Sequence, residues 1–223
     1  MQFDGLNLFE WVLLVLGVIL FFVAVIGFFV QLKNKNNLTP ILGFFIVSII
    51  MIGYPSIQSF QLAGAEVTML QATNDLHNDP GNSSARQTLQ AAVKKLGNRS
   101  FSDPAVLTSL SSAQFALGNE QAAKDNLNKA LQKDPTLASA QQLKAKIATL
   151  DKIEPLLAKV QSNPADAQAK ADLAQTTNEA AQLKIANPGA LQKLALAQKA
   201  VGDASGSAKT TAMLENINRK VAR

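Results

Sequence analysis

Residues 104–137 read PAVLTSLSSAQFALGNEQAAKDNLNKALQKDPTL, and this stretch decides the fold of the chain. Proline opens it, alanine and leucine recur at three- and four-residue spacing, and Gly118 interrupts the pattern near the middle. That spacing is the period of an amphipathic helix, and a glycine between two such runs is typical of a tight turn. The stretch therefore predicts two short antiparallel helices joined at Gly118.

The chain beyond residue 60 repeats this punctuation. An Asp or Asn followed by proline favours a helix start, because the side chain caps the helix and proline suits its first turn. Such pairs stand at 79–80, 103–104, 134–135, 163–164 and 187–188. The Ala- and Leu-rich runs predict an all-α domain over residues 83–223, with helices at 83–96, 104–117, 119–133, 137–150, 152–161, 164–183, 188–201 and 204–219.

The stretch 104–137 resembles a tetratricopeptide repeat (TPR). Its leucines, small residues, turn glycine and closing proline take hallmark places of that family, whereas Gln114 stands where the family usually has an aromatic residue. The resemblance implies that the small residues let the paired helices approach closely and that the leucines fill the space between layers. The residues concerned are Leu107, Leu110, Ser111, Gly118, Ala123, Leu127, Ala130 and Pro135.

A second copy of the pattern begins 84 residues later in the sequence. The segment between the copies keeps a proline at 164 but has no turn glycine, so the repeats are degenerate. The resemblance implies a TPR-like α-solenoid and leaves its number of repeats open. The second copy is carried by Pro188, Leu191, Leu194, Gln198 and Gly202.

The first 60 residues have a different composition and hold eleven of the thirteen aromatic residues. Residues 11–30, WVLLVLGVILFFVAVIGFFV, carry no charge, and about 20 helical residues span a hydrocarbon layer of about 30 Å. A second apolar run, LTPILGFFIVSIIMIGYPSI, covers residues 38–57. The sequence predicts an anchor at 1–60 with two transmembrane helices at about 11–31 and 39–57, then a juxtamembrane helix and linker at 61–82.

The charges flanking the first apolar run argue against a secretory signal peptide, since Asp4 and Glu10 precede the run where such a peptide has basic residues. The connector between the runs carries Lys33 and Lys35. The positive-inside rule then places this connector in the cytoplasm. We expect an integral plasma (inner) membrane protein whose N-terminus and C-terminal domain are extracytoplasmic.

The residue inventory disfavours an enzyme. The chain has no cysteine, its carboxylates are scattered, and its one histidine, His77, is predicted to be an ordinary exposed histidine in a linker. No catalytic, metal or cofactor site is predicted. The net charge of +5 is spread over dispersed lysines with few aromatic residues beside them, so nucleic-acid binding is not expected either.

The concave face of stacked helical pairs is the remaining candidate site. In TPR families that face receives a segment of a partner protein, so the resemblance implies a groove here. The residues of this chain at the groove positions would make it small, polar and weakly basic. The positions that the resemblance assigns to it are Thr108, Ser112 and Phe115 in the first copy, and Gln192, Leu196 and Lys199 in the second.

These features predict a membrane-anchored, non-enzymatic scaffold or adaptor that binds a protein or peptide partner. Two alternatives stay open at this point. One is an assembly chaperone similar to the TPR proteins of cytochrome c maturation, although those have a longer loop between the spans than QLKNKNN. The other is a cell-envelope accessory protein that holds an anionic polymer or lipid through its lysines. The sequence also leaves open whether the chain forms a homo-oligomer or serves as a spacer.

Overall fold

A computed structural model of the chain describes residues 8–33, 39–97 and 99–221, and this part is helical with no strand. The prediction of an all-α protein is therefore confirmed for these residues. Lys35 of the predicted cytoplasmic connector lies outside them. The helices are α1 (Leu8–Lys33), α2 (Thr39–Asn78), α3 (Ser83–Gly97), α4 (Pro104–Leu117), α5 (Glu120–Lys133), α6 (Ala138–Asp151), α7 (Ile153–Ser162), α8 (Ala167–Ala181), α9 (Pro188–Ala200) and α10 (Ala204–Val221).

The chain divides into two compact units. Unit 1 comprises Met1–Ala65 and Leu96–Phe101, and unit 2 comprises Glu66–Lys95 and Ser102–Arg223. Helix α2 runs without interruption through residue 60, where the sequence predicted the end of the anchor. The predicted domain boundaries at residues 60 and 82 stay a prediction.

Unit 1 contains helix α1 and the part of α2 up to Ala65. Helix α1, with 26 residues, and the stretch Ile41–Asn78 of α2, with 38 residues, are long and apolar enough to span a membrane. Pro55 lies inside α2, which continues beyond it, so the proline does not end the helix. The helix predicted to follow the second apolar run is thus a continuation of that run.

Helices α1 and α2 approach closely at Gly17. A Cβ atom at this position would stand 2.9 Å from side-chain atoms of Met51 and Ile52, closer than non-bonded carbons normally come. Edge-to-face packing of Phe21 on Phe45, with ring centroids 5.6 Å apart, adds a specific contact. Glycine at the crossing therefore permits the backbone approach on which this pair depends.

An ion pair closes unit 1. Glu10, in the first turn of α1 and only 5% exposed, accepts a 2.6 Å hydrogen bond from Nη1 of Arg99. Arg99 also donates to the Gln58 side chain at 3.5 Å. The carboxylate that precedes the first apolar run is therefore neutralised by a cation 89 residues away in the chain.

In unit 2, α4 and α5 form the predicted helical hairpin. The Ser111 hydroxyl of α4 donates a 2.6 Å hydrogen bond to the Ala123 carbonyl of α5. The backbones of the two helices are therefore close enough for a serine side chain of one to reach the main chain of the other. Gly118 ends α4 with φ of 91°, in the left-handed region that favours glycine. Pro135 lies exposed in the turn after α5, whereas the leucines and alanines assigned to packing are buried: Leu107, Leu110, Ala123, Leu127 and Ala130.

Helices α9 and α10 form a second hairpin with hydrogen bonds at the corresponding positions. Positions 111 and 123 correspond to Ala195 and Ser207, where the donor has changed sides and the Ser207 hydroxyl bonds the Ala195 carbonyl at 3.1 Å. Gly202 repeats the positive φ, at 85°. Leu191 and Leu194 are buried. The spacing repeat in the sequence thus corresponds to a repeat of contacts.

The glutamine that departs from the family pattern has a structural role in both hairpins. The Asn126 side-chain amide donates to Gln114 Oε1 at 2.8 Å, and the Thr210 hydroxyl donates to Gln198 Oε1 at 2.8 Å. Both glutamines are buried. A polar bond between the paired helices therefore occupies the place of an aromatic side chain.

The Asx-Pro pairs have two different roles, and the sequence predicted only one of them. Asp103 and Asn187 are N-caps of α4 and α9. Asp79, Asp134 and Asn163 accept a hydrogen bond from the amide two residues on, as Asp103 also does, but a turn follows each of them before the next helix begins; the Thr136 amide donates to Asp134 at 2.9 Å. The predicted start of a helix at residue 164 is therefore wrong: α8 begins at Ala167, capped by Asp166.

Unit 2 is not a simple series of pairs. The segment 182–187 between α8 and α9 is not helical, and α9 packs on both α7 and α8. The same segment is bonded to distant parts of the unit, as when the Asn187 side chain donates to Glu120 at 3.2 Å. In an open solenoid each repeat contacts only its neighbours, so these contacts between the first and last hairpins differ from the predicted array.

The Arg86 side chain contributes to this closure, by which we mean the contacts that join the first hairpin to the segment 182–187. Arg86, in α3, is 6% exposed and donates to the carbonyls of Ala116 at 3.2 Å, Pro80 at 3.1 Å and Ala186 at 3.0 Å. Burial lowers the pKa of its guanidinium. Three acceptors from three separate segments therefore surround one charged side chain.

We expect Gly118→Ala to lower the free energy of unfolding by about 1 kcal/mol, because a Cβ disfavours the left-handed conformation. The nearest atom to that Cβ would be 3.9 Å away, so no clash contributes. Gly64→Ala, within α2 and with open space around the added Cβ, is the matched control and should not destabilise. Thermal unfolding of the full chain, followed by circular dichroism, measures both. Equal effects of the two substitutions would contradict the assigned role of Gly118.

Candidate functional site

His77 occupies the last turn of α2 and lies in register with two buried residues of that helix, Met69 and Thr73. Four-residue spacing places the three on one face. His77 is half-buried. The prediction of an exposed linker histidine is therefore wrong, because α2 extends to Asn78 and turns this residue toward the interior of unit 2.

Two cavities meet at His77. The larger one, called here the C-terminal cavity, has a volume of about 460 Å³ and lies between the end of α2, the segment 182–187, α9 and α10. Buried Ile185, Leu191 and Leu194 give it an apolar floor. Polar and charged groups also line it: Asn78, Lys184, Gln198, Asp203, Lys209 and Thr210.

The smaller cavity, called here the α4 cavity, has a volume of about 260 Å³. Thr108, Ser109 and Ser112 of α4 line it from one side, and Ser139 and Leu143 of α6 from another. The end of α2 closes it with Leu70, Thr73, Asn74 and His77.

The electrostatic potential at His77 is positive. Burial, the charge of Lys146 and the charge of Lys184 together lower the pKa of His77 from 6.5 to about 4, so the imidazole is neutral at pH 7. Burial also lowers the pKa of Lys146 from 10.5 to about 8, so this ammonium is mostly protonated at pH 7. Both lysines are fixed by hydrogen bonds: Lys146 Nζ donates to the Lys184 carbonyl, and Lys184 Nζ donates to the Asn78 side chain at 3.1 Å.

The structure brings the groove residues of the first copy to two different places. Thr108 and Ser112 line the α4 cavity, which α2 covers, and the Thr108 hydroxyl donates to the Pro104 carbonyl at 2.8 Å. Phe115 is 4% exposed and belongs to the hydrophobic core instead of an open surface. The predicted groove face of this copy is therefore occupied by the chain itself.

In the second copy the predicted groove face is open. Gln192 and Lys199 are exposed, and Leu196 between them is 49% exposed. The adjacent Lys193 is held by an ion pair with Glu154 at 3.0 Å. These residues lie on the α9 surface away from Leu191 and Leu194, which point into the C-terminal cavity.

Sequence reasoning missed Arg86, Lys146 and the role of His77. The sequence does contain a signal for Arg86 in its helical spacing. Arg86 precedes the buried residues Leu89 and Val93 by three and seven positions, which places it on the apolar side of α3. A charged residue on an apolar face indicates a buried partner. Its acceptors come from segments up to 100 residues away, which spacing alone does not reveal.

Comparison with protein-family models, with curated proteins and with solved structures finds no match to this chain.

The low pKa of His77 predicts a pH dependence of stability. Between pH 6.5 and about 4 the unfolded chain binds a proton at His77 and the folded chain does not, so stability falls as the pH is lowered through this range. His77→Gln, which stays neutral, should remove this contribution. Thermal unfolding of the wild-type and His77→Gln proteins, measured at steps of about 0.5 pH unit from about pH 7.5 to about pH 4, compares how their stabilities depend on pH. Parallel profiles would show that His77 is not buried in the neutral form.

Proposed function

We propose that the chain is a membrane-anchored, non-enzymatic adaptor, in which unit 1 holds it in the membrane and unit 2 binds a segment of a partner protein. The two long apolar helices support the anchor. Large apolar side chains are exposed from Leu8 to Leu32 in α1 and from Leu42 to Phe60 in α2, as lipid contact requires. Anchoring raises the local concentration of a binding unit, so that modest affinity is sufficient.

The proposed orientation places the connector with Lys33 and Lys35 in the cytoplasm and unit 2 outside. The ion pair of Glu10 with Arg99 is compatible with it, because it requires the start of α1 and residue 99 to lie on one side of the membrane. A hairpin of two spans meets that requirement.

Because the chain has no cysteine, single cysteines report the orientation directly. We expect Lys129→Cys, at an exposed position of α5, to react with a membrane-impermeant maleimide in spheroplasts. Asn36→Cys, in the connector, should react only after the membrane is permeabilised. The reverse pattern would overturn the orientation, and release of the protein by alkaline extraction would overturn the anchor.

The exposed face of α9 carries the proposed partner binding. Among the described residues of helices α3 to α10, Leu196 is the one large hydrophobic residue that is exposed. The polar residues Gln192 and Lys199 flank it. An apolar side chain inside a polar rim is a common form of protein interface. The resemblance to TPR proteins supports the same face, since this is where the second copy would hold a peptide.

Photo-crosslinking in intact cells tests this face. A photo-reactive residue at position Gln192 should capture one partner protein, whereas the same residue at exposed Lys129 should not. Leu196→Gln is expected to abolish capture from position 192 without affecting folding, because the side chain is exposed. Capture that is equal at both positions, or that is unchanged by Leu196→Gln, would overturn the assignment of the face.

A further inference from the structure

Two lysines next to the C-terminal cavity have no acidic partner in the part of the chain that the structure describes. The ion pairs among the described residues join Arg99 to Glu10, Lys124 to Asp151, and Lys193 to Glu154. Lys146 and Lys184 are in none of them. Their hydrogen bonds go to a backbone carbonyl and to an amide side chain, which are neutral acceptors. Neither ammonium is therefore neutralised by a direct ion pair.

The charges on the cavity wall leave a surplus of one positive charge. Lys184 and Lys209 are cationic, Asp203 is anionic, and His77 is neutral at pH 7. The Asp203 carboxylate accepts a bond from the Gly206 amide at 2.8 Å, in the turn that starts α10. Lys146 does not line the cavity but bonds the Lys184 carbonyl. Its charge adds to the positive electrostatic potential there, because it contributes to the low pKa of His77.

The cavity also has room for an apolar group. Its volume of about 460 Å³ falls within the range of small-molecule sites. Ile185, Leu191 and Leu194 form the floor and are at most 5% exposed. Hydrogen-bonding side chains, among them Asn78, Gln198 and Thr210, lie on the same wall.

From this arrangement we infer that the C-terminal cavity binds an organic monoanion with an apolar body, such as a short-chain carboxylate. The negative group lies against Lys184 and Lys209 beside His77, and the apolar body covers Ile185, Leu191 and Leu194. One negative charge balances the surplus on the wall. This site is separate from the α9 face proposed for partner binding and does not depend on it.

His77 is the only histidine, so its imidazole signals in the NMR spectrum of the full-length protein are assigned without mutation. The full chain, in a non-ionic micelle, is titrated with hexanoate as probe. We expect a saturable shift of the His77 signals and a rise of its pKa, because a nearby anion favours the imidazolium. Hexanamide, which has the same apolar body without the charge, should give neither effect.

Variants separate this site from general ionic effects. Lys184→Gln and Lys209→Gln, which replace two exposed lysines of the cavity wall, should each weaken hexanoate binding by about tenfold, as expected for loss of one charge-assisted contact. Lys129→Gln, on α5 and outside the cavity, should leave binding unchanged. Absence of a saturable shift, equal shifts with hexanamide, or no effect of the two cavity lysines would overturn the inference. Equal binding of inorganic phosphate would overturn the role of the apolar floor.

Discussion

The buried guanidinium of Arg86 links three separate segments of unit 2 through its hydrogen bonds. A charged group out of water needs all of its donors satisfied, and here the acceptors are carbonyls of Ala116, Pro80 and Ala186. The Ala116 carbonyl is at the C-terminal end of α4, where the helix dipole is negative. Loss of this side chain would leave buried carbonyls without donors and cost about 3 kcal/mol.

The segment 182–187 owes its position to this constraint. Arg86 bonds Ala186, and Asn187 both caps α9 and reaches Glu120 at the start of α5. With the segment fixed there, Lys184 and Ile185 line the C-terminal cavity. The same closure leaves the far face of α9 open, where Leu196 is exposed. One set of hydrogen bonds therefore underlies both proposed binding surfaces.

The sequence predicted those parts of the fold whose determinants are local. Helix α4 begins and ends where expected because Asp103, Pro104 and Gly118 act within a few residues of each other. The predicted start of α8 was wrong because the Asn163 side chain can either cap a helix or form a turn. The dipeptide Asn-Pro is compatible with both structures and does not distinguish them. The closure through Arg86 and the half-buried state of His77 depend on partners far along the chain, which periodicity does not encode.

Hydrogen exchange of the full chain with Arg86→Lys tests the central claim most directly. The lysine keeps the charge, but its single ammonium cannot reach three carbonyls from separate segments. We predict faster amide exchange at three places together: the start of α3, the end of α4, and residues 186–191 at the start of α9. Faster exchange confined to α3, with α4 and α9 unchanged, would contradict the account, because Arg86 would then not hold these segments together.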